Sequence, residues 1–300
     1  MQHEFTGTVV QFYSGRQKIV GDLFMPVGTP PKGGFPAIIC AHGYGGIRTT
    51  SNPPTARAYA QAGFASLIFD YRGFGDSEGD RWRLVPRFEV DDVRNAVTFL
   101  SADSRINAEK IAVHGASFGG AVVVAATAAD TRIKAMICNV GIGNGRRWLQ
   151  SLRRNWEWIE FEQEVAADRR ERVLTGKSRP VDPYYIMMSD KYSEKRHDML
   201  NEQFPERKFE LPLESAELIM EFVPEDEAAI APPRPGLIIG VANDFLVAET
   251  ESRQIFEKWP GPKRLVWLQG FQHHDVYSTA MSQVLEASLP FLREHLDLSD

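Results

Sequence analysis

The chain is poor in the features that would place it in a special class. It has only two cysteines in 300 residues, which cannot staple a chain of this size or build a cysteine-rich metal site. Cys40 and Cys138 each fall within an apolar run, where cysteine serves as a small core residue. No long hydrophobic segment is present: the longest apolar run, Ala121 to Ala129, is too short to span a bilayer. The first residues, Met1-Gln-His-Glu, lack the basic and apolar regions of a signal peptide, so the expected compartment is the cytoplasm. There is no excess of positive charge, because the net charge is −6 and acidic residues interleave with the arginine clusters around Arg153 and Arg170. That balance argues against nucleic acid as a partner. No histidine or cysteine spacing suits a metal, since His273-His274 is a doublet rather than a pair on one helix face. No glycine-rich phosphate loop follows a strand, and no cofactor is expected.

What is present is ordinary for a soluble globular protein, with 43% hydrophobic and 25% charged residues. Residues 5 to 26 alternate in polarity about Ser14-Gly15-Arg16-Gln17 and read as a β-hairpin. Short apolar strand runs then alternate with helical patterns: Ala37–Ala41, Thr55–Ala62, Ala65–Phe69, Phe88–Leu100, a turn over Ile106–Lys110, Ile111–Val113, the apolar stretch to Ala129, and Ile133–Asn139. From about 141 to 232 the rhythm breaks into a charged, aromatic-rich stretch expected to be helices and loops. It resumes at Gly236–Ala242, with a helix from Glu249 to Lys258, a strand over Arg264–Leu268 and a last helix from about Ser278 to His295. Such alternation implies an α/β fold with a mainly parallel sheet and helices on both faces. The expected organisation is a core of residues 1–140 and 233–300 interrupted by an insertion at 141–232.

The chain is organised around Gly115-Ala116-Ser117-Phe118-Gly119, which lies between a buried strand and an apolar helix. A serine on a strained strand-to-helix turn needs glycine on both sides, lifts its hydroxyl clear of the sheet and leaves the next amide at a helix N-terminus. Serine is a weak nucleophile near neutral pH and needs a base, which in turn needs a carboxylate to orient it. Asp244 follows a strand directly; its structural alternative is a cap for the following helix. The base is assigned to His273 rather than to the adjacent His274, and Asp275 is expected to cap the last helix. Two backbone amides would hold the oxyanion, that of Phe118 and, from the glycine-loosened His42-Gly43-Tyr44-Gly45-Gly46 loop, that of Tyr44. His42 and His114, at strand ends, are read as hydrogen-bonding scaffold residues. Tyr44, Ser117, Asp244 and His273 all fall after strands, at the sheet edge where ligands of such folds bind.

These motifs, together with Asp70-Tyr71-Arg72-Gly73-Phe74-Gly75-Asp76-Ser77-Glu78-Gly79, resemble the α/β-hydrolase superfamily. Within it the chain is similar to the dienelactone-hydrolase-like and Xaa-Pro-peptidase-like (S15-type) esterase branch. The resemblance covers about 5 to 140 and 233 to 297. It implies a Ser117 nucleophile, a His273 base and an Asp244 partner, with the insertion acting as a helical cap. A serine nucleophile departs from dienelactone hydrolases, and the absence of a long C-terminal β-domain departs from true Xaa-Pro peptidases. The expected activity is hydrolysis of a carboxylic ester through an acyl-enzyme. Carbon–carbon, thioester or amide cleavage, acyl transfer, and a non-catalytic binding role are the alternatives. Trp148, Trp156, Trp158 and Tyr185 are candidates to line a substrate pocket. The expected partner is a small ester-type molecule, without nucleic acid or membrane, and a homodimer is left open.

Overall fold

The computed structural model describes residues 3–50, 52–205 and 209–296. The hairpin is formed by β1 (Phe5–Ser14) and β2 (Gln17–Pro26), joined by Gly15 and Arg16, both at positive φ. Such a two-residue turn matches the twist of the paired strands. The remaining core strands are β3 (Phe35–Ala41), β4 (Ala65–Phe69), β5 (Ile106–Ala116), β6 (Ile133–Asn139), β9 (Gly236–Val241) and β10 (Lys263–Leu268); the short β7 (Pro180–Val181) and β8 (Leu211–Pro212) pair apart from them. The main sheet has eight strands in the order β1-β2-β4-β3-β5-β6-β9-β10. All its pairings from β4 to β10 are parallel, and only the β1-β2 and β2-β4 pairings are antiparallel.

The sheet alternates residue by residue between two hydrophobic clusters, as a period of two requires when both faces are covered. In β3, Ala37, Ile39 and Ala41 face one cluster with α2 (Pro86–Ser101) and α3 (Phe118–Ala129), while Ile38 and Cys40 face the other with α1 (Pro53–Gln61) and α11 (Met281–His295). Cys40 and Cys138 are both buried, one on each face. Two boundaries differ from the sequence reading. β5 begins at Ile106 rather than after Lys110, because Phe35 pairs with Ile106 ahead of an irregularity in the ladder. The last helix begins at Met281, residues 278–280 forming a turn that follows a 3₁₀ turn over His273–Tyr277.

Between β6 and β9 lie α4 (Gly145–Ser151), α5 (Asn155–Thr175), α6 (Pro183–Ile186), α7 (Lys191–Gln203), α8 (Glu214–Met220) and α9 (Pro224–Ala229). These elements do not hang free. Trp148, Trp158, Phe161, Ile186, Leu213 and Phe222 belong to the same hydrophobic cluster as α2 and α3. Ion pairs add to the join: Arg147 lies between Glu225 and Glu251, 2.6 Å from each, and Glu251, in α10 (Glu249–Lys258), also accepts the Gly143 and Asn144 amides. Glu225 and Glu251 are buried, so removing Arg147 would leave two buried carboxylates short of a partner.

Candidate active site

The site begins with a steric demand. Ser117 sits at φ 58°, ψ −126°, between the last residue of β5 and the first of α3. A Cβ on Gly115 would lie 2.0 Å from the Gly119 carbonyl oxygen, and one on Gly119 would lie 2.3 Å from that of His42. Only glycine fits at either flank, which is why the strand can pass so closely into the helix. The Ser117 amide is tied to the Asn139 carbonyl of the neighbouring strand at 2.9 Å, so the strained residue is held from both sides. Phe118 opens α3, where a helix amide has no intrahelical acceptor and the helix dipole is positive.

β3, β5, β9 and β10 run parallel, so the loops after them meet at one edge. His273 Nε2 lies 2.8 Å from Ser117 Oγ, and His273 Nδ1 lies 2.7 Å from Asp244 Oδ2. All three side chains are buried. With a carboxylate at Nδ1, the proton belongs on Nδ1 and Nε2 is left to accept from the serine hydroxyl. Asp244 does not cap the following helix, which begins at Glu249 with Ala248 as its N-cap; its other oxygen, Oδ1, instead accepts the Leu246 and Val247 amides of its own turn at 2.8 and 2.9 Å. One carboxylate therefore fixes both its own turn and the imidazole.

The neighbouring loops are built around buried polar groups. Asp70 accepts the Arg48 amide at 2.6 Å and the Asp76 amide at 3.0 Å, which ties the Asp70–Gly79 loop to the loop that carries Tyr44. Burial raises the Asp70 carboxyl to about 6, against the pull of those two amides. Burial also holds the His42 and His114 imidazoles neutral by lowering each to about 4; His114 Nδ1 is 2.9 Å from the Tyr59 hydroxyl. Glu89, in the first turn of α2, is buried near Tyr71, and burial, with Asp92 adding to it, pushes its carboxyl well above the usual carboxylate range.

A cavity of about 50 Å³ opens beside Ser117, and a second of about 300 Å³ lies next to it, with Tyr44, Met187 and His197 lining both. The walls of the inner one include Arg196, Leu200, Leu246 and His274. The four aromatic residues proposed from sequence are not on its walls. Trp148 is fully buried behind the site, its indole donating to the Leu246 carbonyl at 3.0 Å and its ring packed on Phe118 and Tyr44. Trp158 is buried against Phe161. Trp156 is 56% exposed, and Tyr185 directs its hydroxyl to Glu164 on α5. Sequence reasoning missed the residues that do line the cavity from this side, Met187, Arg196, His197 and Leu200. The usable signal was the i, i+4, i+7 spacing of Ser193, His197 and Leu200, the buried face of an otherwise polar α7. Asp275 does not cap the last helix either. Its side chain accepts the Gln272 amide at 2.7 Å and the Tyr192 hydroxyl of α7 at 2.9 Å, joining the histidine loop to α7. Among the described residues no cluster of His, Cys, Asp or Glu could hold a metal ion, and no helix is long and apolar enough to cross a membrane.

A mainly parallel sheet with helices on both faces and a strained serine between β5 and α3 defines an α/β-hydrolase fold. The likeness to solved structures agrees. DcsB in complex with its substrate analogue aligns at a TM-score of 0.82 with 22% identity, covering 97% of this chain and 100% of that one. GrgF, an alpha/beta hydrolase from a Penicillium species, aligns at 0.79 with 21% identity, covering 98% and 100%. The chain belongs to the X-Pro dipeptidyl-peptidase (S15) family, whose model matches residues 15–275. Among curated relatives, an uncharacterized 31.7 kDa protein of Escherichia coli is 28% identical over 87% of this chain and 91% of its own. Thiohydrolase aneE of Aspergillus aculeatus is 23% identical over 87% and 86%, and polyketide transferase af380 of Aspergillus fumigatus is 26% identical over 87% and 90%.

Proposed function

We propose that this protein is a serine hydrolase that cleaves a carboxylic ester of a small or medium organic substrate through an acyl-enzyme. The observation that carries the reading is the unbroken hydrogen-bonded path from Ser117 Oγ through His273 to Asp244, ending at a serine held in a strained turn. In the first half-reaction Oγ bonds to the acyl carbon as His273 Nε2 takes its proton. The oxygen that gains charge accepts from the Phe118 and Tyr44 amides; losing one such donor typically costs about 3 kcal/mol in the transition state. His273 then delivers the proton to the departing alkoxide, and Ser117 is left acylated. In the second half-reaction water gives a proton to His273 and attacks the same carbon, releasing the acid and restoring the serine. Asp244 keeps Nδ1 protonated and stabilises the imidazolium. Residues 141–232 act as a cap, with α7 over the nucleophile.

A second reading, cleavage of a thioester or transfer of its acyl group to an alcohol, uses the same steps with a thiolate leaving or an alcohol arriving in place of water. It draws support from the relatives called thiohydrolase and polyketide transferase. Initial rates on matched p-nitrophenyl esters and N-acetylcysteamine thioesters, with and without an added alcohol, separate the two. Free acid as the sole product supports hydrolysis, and a new ester in the alcohol's presence supports transfer. No turnover of any of them by an intact protein would sink both and leave a binding role.

A further inference from the structure

The inner cavity has a charge opposite to that of the molecule as a whole. The chain carries a net charge of −6, yet no aspartate or glutamate lines the cavity beside Ser117 among the described residues. Arg196 does line it, half-buried on α7. Several other partly buried arginines are matched with acids, Arg72 with Asp92, Arg48 with Asp70 and Asp76, Arg147 with Glu225 and Glu251, while Arg153 and Arg234 donate to backbone carbonyls. The Arg196 guanidinium instead stands 6.0 Å from the centroid of the Tyr277 ring, and among the described residues no carboxylate lies within ion-pair distance of it. Asp275, which feels its charge only weakly, already accepts the Gln272 amide and the Tyr192 hydroxyl. His274 and His197 complete that wall, with His197 stacked on Tyr184 at 3.9 Å. A guanidinium partly withdrawn from water gains most from a planar anion that it can meet with two donors.

We propose that Arg196 selects substrates carrying an anionic group, a carboxylate or phosphate, close to the scissile carbonyl. The inference rests on the acyl-enzyme reading and names its substrate class. An acidic protein repels anions at long range, so a lone cation beside the nucleophile works at contact distance as a discriminator rather than as a distant attractor.

Two pairs of substrates locate the charge. On the acyl side, p-nitrophenyl hydrogen glutarate is compared with p-nitrophenyl butyrate; on the leaving-group side, 4-carboxyphenyl butyrate is compared with phenyl butyrate. The wild type should favour the anionic member of one pair in kcat/KM by about tenfold, chiefly through KM, as one charge-assisted contact typically provides. Arg196→Met should bring that ratio close to one, and Arg196→Lys should restore part of it. Equal rates within both pairs, or an Arg196→Met variant that slows both members alike, would overturn the proposal and leave Arg196 a support for the Asp275 loop. A readout that needs no turnover separates this inference from the hydrolase reading: calorimetric binding of monomethyl glutarate to Ser117→Ala should weaken about tenfold when Arg196→Met is added. Unchanged affinity contradicts the anion site whatever the protein hydrolyses. Weakened affinity with no hydrolysis supports the site and sinks the hydrolase reading.

Discussion

The strands of the main sheet and the helices between β6 and β9 answer to different kinds of information. In the core, the groups that matter are fixed by local backbone: Ser117 by two glycines that nothing larger can replace, Asp244 by the turn it caps, His273 by a short 3₁₀ turn. In the insertion they are fixed by which helix face happens to meet the core. Trp148 and Trp156 lie eight positions apart in sequence, yet one is wholly buried behind Phe118 and the other is 56% exposed. A strained serine turn can be located by motif, whereas a cavity wall made by packed helices needs the packing.

The largest test of that contrast falls on the core. On the proposed reading Ser117→Ala should retain the fold and lose roughly four to six decades of kcat, measured on a p-nitrophenyl ester with circular dichroism as the control. Asp244→Asn should lose less, roughly three to four decades, since the serine and the oxyanion amides remain. Of the two adjacent histidines, His273→Ala should abolish turnover to nearly the extent of Ser117→Ala, and His274→Ala should leave most of it. An inactive His274→Ala with an active His273→Ala would reverse the assignment.

The next test compares two residues of one type within the insertion. Trp148→Ala should cost roughly 3–5 kcal/mol of stability in urea denaturation, because it empties a buried site and orphans the Leu246 carbonyl. Trp156→Ala should change stability by no more than about 0.5 kcal/mol. Similar losses for the two would mean that the insertion packs differently.

The smallest expected effect belongs to Glu89, buried in the first turn of α2. Burial, with Asp92 adding to it, raises its carboxyl well above the usual range in the folded protein, whereas the unfolded chain ionises near the ordinary value. The folded state therefore keeps a proton that the unfolded state gives up, and stability is lost as pH rises from the ordinary carboxylate range toward the raised folded value. Glu89→Gln, neutral at every pH, should leave Tm little changed near pH 4 and raise it increasingly toward pH 8. A difference between the two proteins that shrinks with pH would show Glu89 to be ionised in the fold.

Much of this molecule was legible before its coordinates. The alternation of polarity about Gly15 gave the hairpin, the apolar runs gave the parallel strands, and the family model and structural likenesses agree with the superfamily and branch that the motifs suggested. Strand boundaries were less so: the polar residues Asn107, Glu109 and Lys110 belong to β5 because the ladder to β3 extends past the buried run, a pairing no local pattern encodes. The aromatic residues of the insertion misled because size and apolarity suit packing as well as binding, and packing claimed Trp148 and Trp158. Asp275 misled for a related reason. Its place ahead of a helix suggested a cap, but a tyrosine 83 positions away in sequence competes for the same carboxylate.

The central claim is that Ser117 is an activated nucleophile, and intact-mass analysis after exposure to a fluorescent phosphonate tests it most directly. The wild type should gain one adduct, mapped to Ser117 by digestion, while Ser117→Ala gains none and Asp244→Asn reacts far more slowly. An adduct on Ser117→Ala, or a folded wild type that takes up no phosphonate at all, would contradict it.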